Sequence, residues 1–189
     1  MYTIYQTQGV ILKSYNTGEA SKSFAILTAD LGLVYAKAQS VREVRSKLRY
    51  GLQDFCFSEF SLVRGRGGWR VTNVLPEYSL HDFFSKETSV SFCNILSLVR
   101  KLVKGEESNQ ELFRALEEAF IFLKENNLKK EELKNFECVV VMKVLHNLGY
   151  FEEQEVQKNI LTKDLLEEVA ISRNVWIERI NKSIKATQL

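Results

Sequence analysis

The side chains best suited to catalysis or metal binding in this 189-residue chain are two histidines, three cysteines and several paired carboxylates. Their spacing supports neither activity. His81 and His146 have no cysteine, carboxylate or serine pattern around them that suggests a triad or a metal site, and His146 reads as a structural histidine on the outer flank of a helix. Cys56, Cys93 and Cys138 lie far apart with no CxxC pair, so neither a zinc ribbon nor a redox dithiol is indicated. The pairs Glu106-Glu107, Glu117-Glu118, Glu131-Glu132 and Glu152-Glu153 read as solvated helix faces and ends. No constellation meets even loose requirements for a reaction. The expectation is a protein that is not an enzyme and takes no cofactor or metal.

What remains is positive charge with glycine beside it. Arg64-Gly65-Arg66-Gly67-Gly68 is not a P-loop, because it lacks the Gly-Lys-Ser/Thr ending and no helix follows. As a hairpin turn its glycines need no ligand. Arg64, Arg66 and the following Trp69-Arg70 suit contact with a nucleic-acid backbone, with Trp69 as a stacking surface; a buried Trp69 is the alternative. A second cluster comprises Arg42, Arg45, Lys47 and Arg49, joined by Lys37 on the wet side of a strand and offset locally by Glu43 alone. A charge run is often only a solvated face. Here the two basic loops could share one flank and track phosphates, without reading bases. Residues 1–80 carry 10 Lys and Arg against 6 Asp and Glu, whereas residues 81–189 carry 16 against 18. The cations therefore belong to the N-terminal part.

The elements that must hold those cations are strands. Gly9 to Lys13 is a short apolar run closed by Asn16-Thr17-Gly18. Ser23 to Thr28 and Leu33 to Ala38 flank Asp30-Leu31-Gly32 and make one hairpin, its second strand alternating Val34, Ala36, Ala38 against Tyr35, Lys37, Gln39. Asp54 to Arg64 and Trp69 to Leu75 make another around the glycine-rich turn, with a polar, basic connection, Ser40 to Gln53, between the hairpins. Five short strands in about 75 residues suit a small closed barrel of the OB type; a small open sheet is the rival reading, but a barrel leaves no open edges. Pro76 and the polar stretch to Asp82 mark its boundary.

From Phe83 the period is helical. Val90, Ile95, Leu98, Val99 and Leu102 form a stripe ending at Gly105. Ser108-Asn109-Gln110-Glu111 reads as a capping box opening a helix with Leu112, Leu116, Ala119, Phe120 and Leu123 inward. A third helix runs from about Lys130 through Leu133, Phe136, Val140, Val144 and Leu148 to Gly149. Lys163 to Val169 is a short helix, and Ser172 caps a last one carrying Trp176, Ile177, Ile180 and Ile184. Strands then helices, without βαβ alternation, predict an α+β chain: an OB-fold DNA-binding barrel over 1–80 and an all-α helical domain over 81–189. The composition, 45% apolar, excludes disorder, and the apolar stretch from Cys138 to Leu148 is too short to span a bilayer. With no signal-peptide pattern, the expected compartment is the cytoplasm.

The ordered set Gly9-Val10-Ile11-Leu12-Lys13-Ser14, Gly18-Glu19-Ala20, Leu27-Thr28 with Leu31-Gly32, and Ala36-Lys37-Ala38 resembles the N-terminal barrel of the RecO family. Ser46-Lys47-Leu48-Arg49 with Leu52-Gln53 and Phe55 is similar to the family's basic segment, and Leu62-Val63-Arg64-Gly65 to its next strand. In the helical half, Leu112-Phe113 and the run from Phe136-Glu137 to Leu148-Gly149-Tyr150 resemble the family's helix ending in Leu-Gly-Tyr. The chain departs from the family in two places. It lacks the glycine often found after Ala-Lys. Where many members carry a four-cysteine zinc module, Gly149-Tyr150 leads through a short acidic link, Phe151 to Glu155, into the closing helices.

The resemblance implies DNA repair by homologous recombination, near the nucleoid. It implies binding to single- and double-stranded DNA, annealing of complementary strands, and loading of recombinase with RecR onto DNA coated by single-strand-binding protein (SSB), whose acidic C-terminal tail would meet the helical domain. By the resemblance Lys37, Lys47, Arg49 and Arg64 are expected DNA contacts; Arg42, Arg45, Arg66, Trp69 and Arg70 rest on charge alone. The rival readings are a general single-stranded-DNA-binding OB module and a protein-interaction scaffold with no mediator activity.

Overall fold

A computed structural model describes residues 3–151 and 161–187, with His81 given by its backbone only. Glu152–Glu155 of the acidic link, with the pair Glu152-Glu153, lie outside the described residues. Two compact units emerge: residues 1–82 with 104–110, and residues 83–103 with 111–189.

The first unit is a closed five-stranded barrel in the order β1-β2-β3-β5-β4, the topology of an OB fold. Its strands are β1 (Ile4–Asn16), β2 (Lys22–Thr28), β3 (Gly32–Ala38), β4 (Cys56–Gly65) and β5 (Gly68–Ser79). Both hairpins stand where their turn residues place them. Gly32 closes the first with a positive φ of 68°, a conformation glycine adopts without strain. Thr28 reinforces that turn: its hydroxyl donates to the Gly32 carbonyl at 2.9 Å and accepts from the Leu31 N–H at 3.0 Å.

β1 is longer than its apolar run suggests. Residues Ile4–Val10 pair with β4, while Gly9–Asn16 pair with β2, so one strand serves two neighbours. The hand-over needs Gly9. A Cβ there would lie 2.9 Å from Ile26 Cγ2, 3.0 Å from the Leu27 carbonyl oxygen and 3.2 Å from Phe60 Cδ2. The absent side chain lets the bent strand approach the barrel core.

Pro76 does not end the barrel. β5 runs through it to Ser79, and Pro76 sits opposite Ser58 where the β4–β5 register slips by one residue. Proline is tolerated at such a bulge because a rung of the ladder is already interrupted there. The core comprises, among others, Ile11, Phe24, Ile26, Val34, Phe60, Leu62, Trp69 and Val71. The 40–53 connection is anchored in it by Val41 and Leu52. Between them a 3₁₀ turn, Lys47–Arg49, holds the basic segment at the surface.

The helical unit follows the one-turn helix α1 (Leu80–Phe83) with α2 (Lys86–Leu102), α3 (Gln110–Glu125), α4 (Lys130–Asn147) and α5 (Lys163–Ala186). Ser85 starts α2, its hydroxyl accepting from the Thr88 N–H at 3.3 Å. The buried face of α2 is Phe92, Ile95, Leu96, Val99 and Leu102, whereas Val90 is half-exposed. α3 begins at Gln110, so Asn109 rather than Ser108 precedes its first helical residue. All five residues expected to face inward on α3 are buried.

α4 is buried nearly all round, from Leu133 to Leu145, and is the axis of this unit. It ends as the Leu-Gly-Tyr pattern requires: Gly149 has φ 77° and Tyr150 N–H returns to the Leu145 carbonyl at 2.8 Å. His146 holds the chain beyond that end through Nδ1 and the Phe151 carbonyl, 2.8 Å apart. α5 is broken at Ser172, whose φ of −123° and ψ of 22° are non-helical, so two helical segments meet there at a kink as the sequence predicts. Of Trp176, Ile177, Ile180 and Ile184, only Ile180 is buried. Cys56 in the barrel and Cys138 on α4 are buried, and burial pushes both thiols up, Cys138 to about 11.

Gly9→Ala should lower barrel stability by about 1–3 kcal/mol through overpacking. Gly65→Ala, where a Cβ meets nothing within 4 Å, should leave stability unchanged. Urea titrations read through Trp69 fluorescence in a Trp176→Phe background measure both.

Candidate nucleic-acid interface

Barrel closure creates the site. β3 and β5 meet in parallel over two rungs only, Ala36 with Trp69 and Lys37 with Arg70. Alternation turns Ala36 and Trp69 inward, leaving Lys37 and Arg70 exposed side by side on the outer surface. Like charges at directly opposed positions repel. Neither cation has a carboxylate within ion-pair distance among the described residues.

Beside this rung lies a groove of about 380 Å³. Its walls are the β1–β2 loop (Thr17, Ser21), the end of β3 (Lys37, Gln39) and the β4–β5 tip (Gly65, Gly67, Gly68) with Trp69 and Arg70. Two loops flanking a strand face is the arrangement through which OB barrels hold extended nucleic acids. Arg66 occupies the exposed tip between Gly65 and Gly67. Arg42 joins this corner: its N–H donates to the Ala20 carbonyl at 3.1 Å and its Nη1 to the Gly18 carbonyl at 3.3 Å.

Arg64 is engaged within its own unit. Its Nη1 lies 3.1 Å from Glu106 Oε2, and its guanidinium sits 5.4 Å from the centre of the Trp69 ring. Trp69 itself is 5% exposed, with Tyr5 edge-on at 5.2 Å and its Nε1 without an acceptor among the described residues. The structure thereby corrects the expectation of a stacking surface: the ring fills the barrel end, and Tyr5 and Arg64 pack against it.

The other basic cluster is placed differently. Arg45 is held by Glu43 at 3.2 Å, whose carboxyl is lowered first by the Ser40 hydroxyl and then by Arg45. Lys47 and Arg49 are exposed, and the chain just beyond them lies against β5, where a Gly51 Cβ would meet Val74 Cγ2 at 2.8 Å and the Pro76 Cδ at 3.4 Å. Val74 and Pro76 stand roughly 13–20 Å along β5 from Arg70 at the usual strand rise. The structure thus places Lys37 and Arg70 in the groove wall, Arg66 on the β4–β5 tip, Arg42 bonded to the Gly18 loop and Arg64 beside the tip, and sets Lys47 and Arg49 farther along the barrel. Thr17, Ser21 and Gln39 have no residue type that marks them for this groove. Their only signal in the sequence is position, a loop around Gly18 and the strand alternation continued past Ala38.

The helical unit holds a second concavity, about 360 Å³ between α4 and α5, lined by residues that include Lys134, Cys138, Val141, Arg173 and Ile177. Glu131 bridges Lys134 and Arg173 at 2.6 and 3.0 Å. Glu137 shares the lining; burial pushes its carboxyl up, opposed by a hydrogen bond from the Ser91 hydroxyl at 3.2 Å. Among the described residues no group of three or more His, Cys, Asp or Glu is placed to hold a metal ion, and no helix is long and apolar enough to cross a membrane.

Two family models cover most of this architecture. That for recombination protein O N terminal matches residues 1–76, and that for recombination protein O C terminal matches residues 87–153. The chain is similar to proteins named DNA repair protein RecO. It is 31% identical over 116 residues to that of Dehalococcoides mccartyi, covering 59% of this chain and 45% of the relative. It is 29% identical over 153 residues to that of Clostridium novyi (78% and 57%), and 27% over 133 residues to that of Alkaliphilus metalliredigens (69% and 53%). The match thus spans about half the length of these relatives. With an OB barrel under the first match and the helix ending in Leu-Gly-Tyr inside the second, the chain belongs to the recombination protein O (RecO) family.

Proposed function

We propose that the chain acts in DNA repair and homologous recombination as a non-catalytic protein that binds single- and double-stranded DNA and anneals complementary strands. One observation carries this reading: Lys37 and Arg70 stand as cross-strand neighbours beside a groove framed by the two loops that OB barrels use for nucleic acid. A phosphate between them would turn a repulsion into two favourable contacts. Family membership and the names of the relatives support the same reading.

Annealing requires no reacting group. Cations at the groove offset the repulsion between two backbones while the bases find register. Lys37, Arg42, Arg66 and Arg70 hold the strand at the groove. Lys47 and Arg49 extend the track along the barrel, Arg45 adds charge already shared with Glu43, and Arg64 is paired with Glu106 at the groove edge. Trp69 shapes the site from within. The reading extends to loading recombinase with RecR onto SSB-coated DNA, and to a cytoplasmic, nucleoid-associated location. For the acidic SSB tail we assign the concavity between α4 and α5, where Lys134 and Arg173 border the apolar Val141 and Ile177.

Fluorescence anisotropy with a labelled single-stranded oligonucleotide at several salt concentrations should show steep weakening with salt. Lys37→Ala with Arg70→Ala should flatten the log–log slope by roughly 0.7 for each phosphate no longer neutralised. Addition of the complementary strand should then reveal faster annealing. Binding without annealing would favour a general single-strand-binding module, and indifference to DNA at low salt would leave a scaffold. An acidic peptide with an apolar C-terminus should bind the wild type, and Ile177→Asp should weaken it at least tenfold in the same assay while leaving DNA binding intact.

A further inference from the structure

Arg64 does not face solvent alone. The segment 104–110 is part of the barrel unit although it connects two helices of the other. It is fastened at three points. Leu33 N–H donates to the Gly105 carbonyl at 3.0 Å, and Gln110 Nε2 donates to Asp30 Oδ1 at 3.2 Å. Gly32 lies so close to the Glu107 backbone that a Cβ would come within 2.4 Å of its carbonyl oxygen. Thus fastened to the β2–β3 turn, the segment presents Glu106, whose Oε2 lies 3.1 Å from Arg64 Nη1.

We propose that Glu106 occupies the position of a DNA phosphate on Arg64, so that strand entry at the groove edge must displace an internal carboxylate. The inference rests on the DNA-binding reading and adds its regulation. Three observations carry it. The carboxylate meets an arginine at the edge of the cationic groove rather than elsewhere on the barrel. The pair is accessible, with 60% and 41% of the two side chains exposed, so a phosphate can compete for the guanidinium without unfolding anything. The arginine lies over the Trp69 ring, which braces the guanidinium plane while partners exchange on its edge. Carboxylate and phosphate both offer paired oxygens to a guanidinium, so the exchange conserves the number of charge-assisted hydrogen bonds.

This arrangement makes Arg64 a conditional contact. Bound to Glu106 it contributes neither affinity nor counterion release. Once the carboxylate is neutralised or moved, it adds one phosphate contact to those of Lys37 and Arg70. Any event that draws the 104–110 segment away from the β2–β3 turn would therefore tighten DNA binding at the groove edge.

The test is a set of salt titrations with single-stranded DNA on the wild type, Glu106→Gln, Arg64→Ala, the double variant, and Glu107→Gln as a control that removes the same charge one residue away. Glu106→Gln should bind roughly two- to fivefold tighter, the range of an exposed ion pair, with a slope steeper by about 0.7. In the double variant the loss of Arg64 should abolish the gain. An equal gain in Glu107→Gln would overturn the proposal in favour of general charge, as would a gain that survives removal of Arg64. No gain in Glu106→Gln while the wild type binds DNA also overturns it. If the wild type ignores DNA at low salt, the DNA-binding reading itself fails, and the proposal with it; circular dichroism on each variant confirms that the barrel is intact.

Discussion

Everything on the basic side of this molecule depends on how the barrel closes. Four of its five strand pairings are extended antiparallel ladders, but the fifth is a parallel meeting of β3 and β5 over two rungs. So short a pairing contributes little stability by itself. Its inner rung, Ala36 with Trp69, is buried in the core, and its outer rung puts Lys37 against Arg70. The burial of one pair of side chains holds the repulsion of the other. The large, rigid indole fits this role because its burial is worth several kcal/mol, about 3–5 for truncation of a core aromatic.

The hairpins are legible in the sequence because their turns carry glycine and aspartate between alternating runs, and alternation also gives Lys37 its exposed face. The polar start of β1, Tyr5 to Gln8, has no apolar pattern and becomes a strand only because β4 supplies a partner. Pro76 reads locally as a stop, but a slipped register accommodates it. Trp69 suits platform or core equally by its type, and its barrel neighbours decide for core. Val90 lies on a helix whose buried stripe is set by Phe92 and Leu96, which the spacing alone does not single out. No local signal could place Glu106 on Arg64, forty-two residues away in sequence. The cations, in short, are visible as types, whereas their neighbours are products of closure.

The helical unit shows the same contrast between pattern and context. α4 is buried on nearly every side, so its sequence shows an apolar run rather than a stripe. Lys143 within that run is 9% exposed, and burial lowers its pKa while Glu118 opposes the shift. The kinked α5 is the converse case: apolar residues spaced as a stripe, of which Ile180 packs inward while Ile171, Val175 and Ile177 remain exposed.

The distribution of thiols has a practical consequence. Cys56 belongs to the barrel and Cys138 to the helical unit, both are buried, and neither is in a disulfide. With its pKa near 11, Cys138 has only about one molecule in a thousand as thiolate at pH 8. An alkylating reagent must therefore wait for each thiol to become accessible through local opening. With Cys93 replaced, the chain becomes a pair of independent chemical clocks, one per unit, timing how often the barrel and the helices breathe and whether DNA slows one without the other.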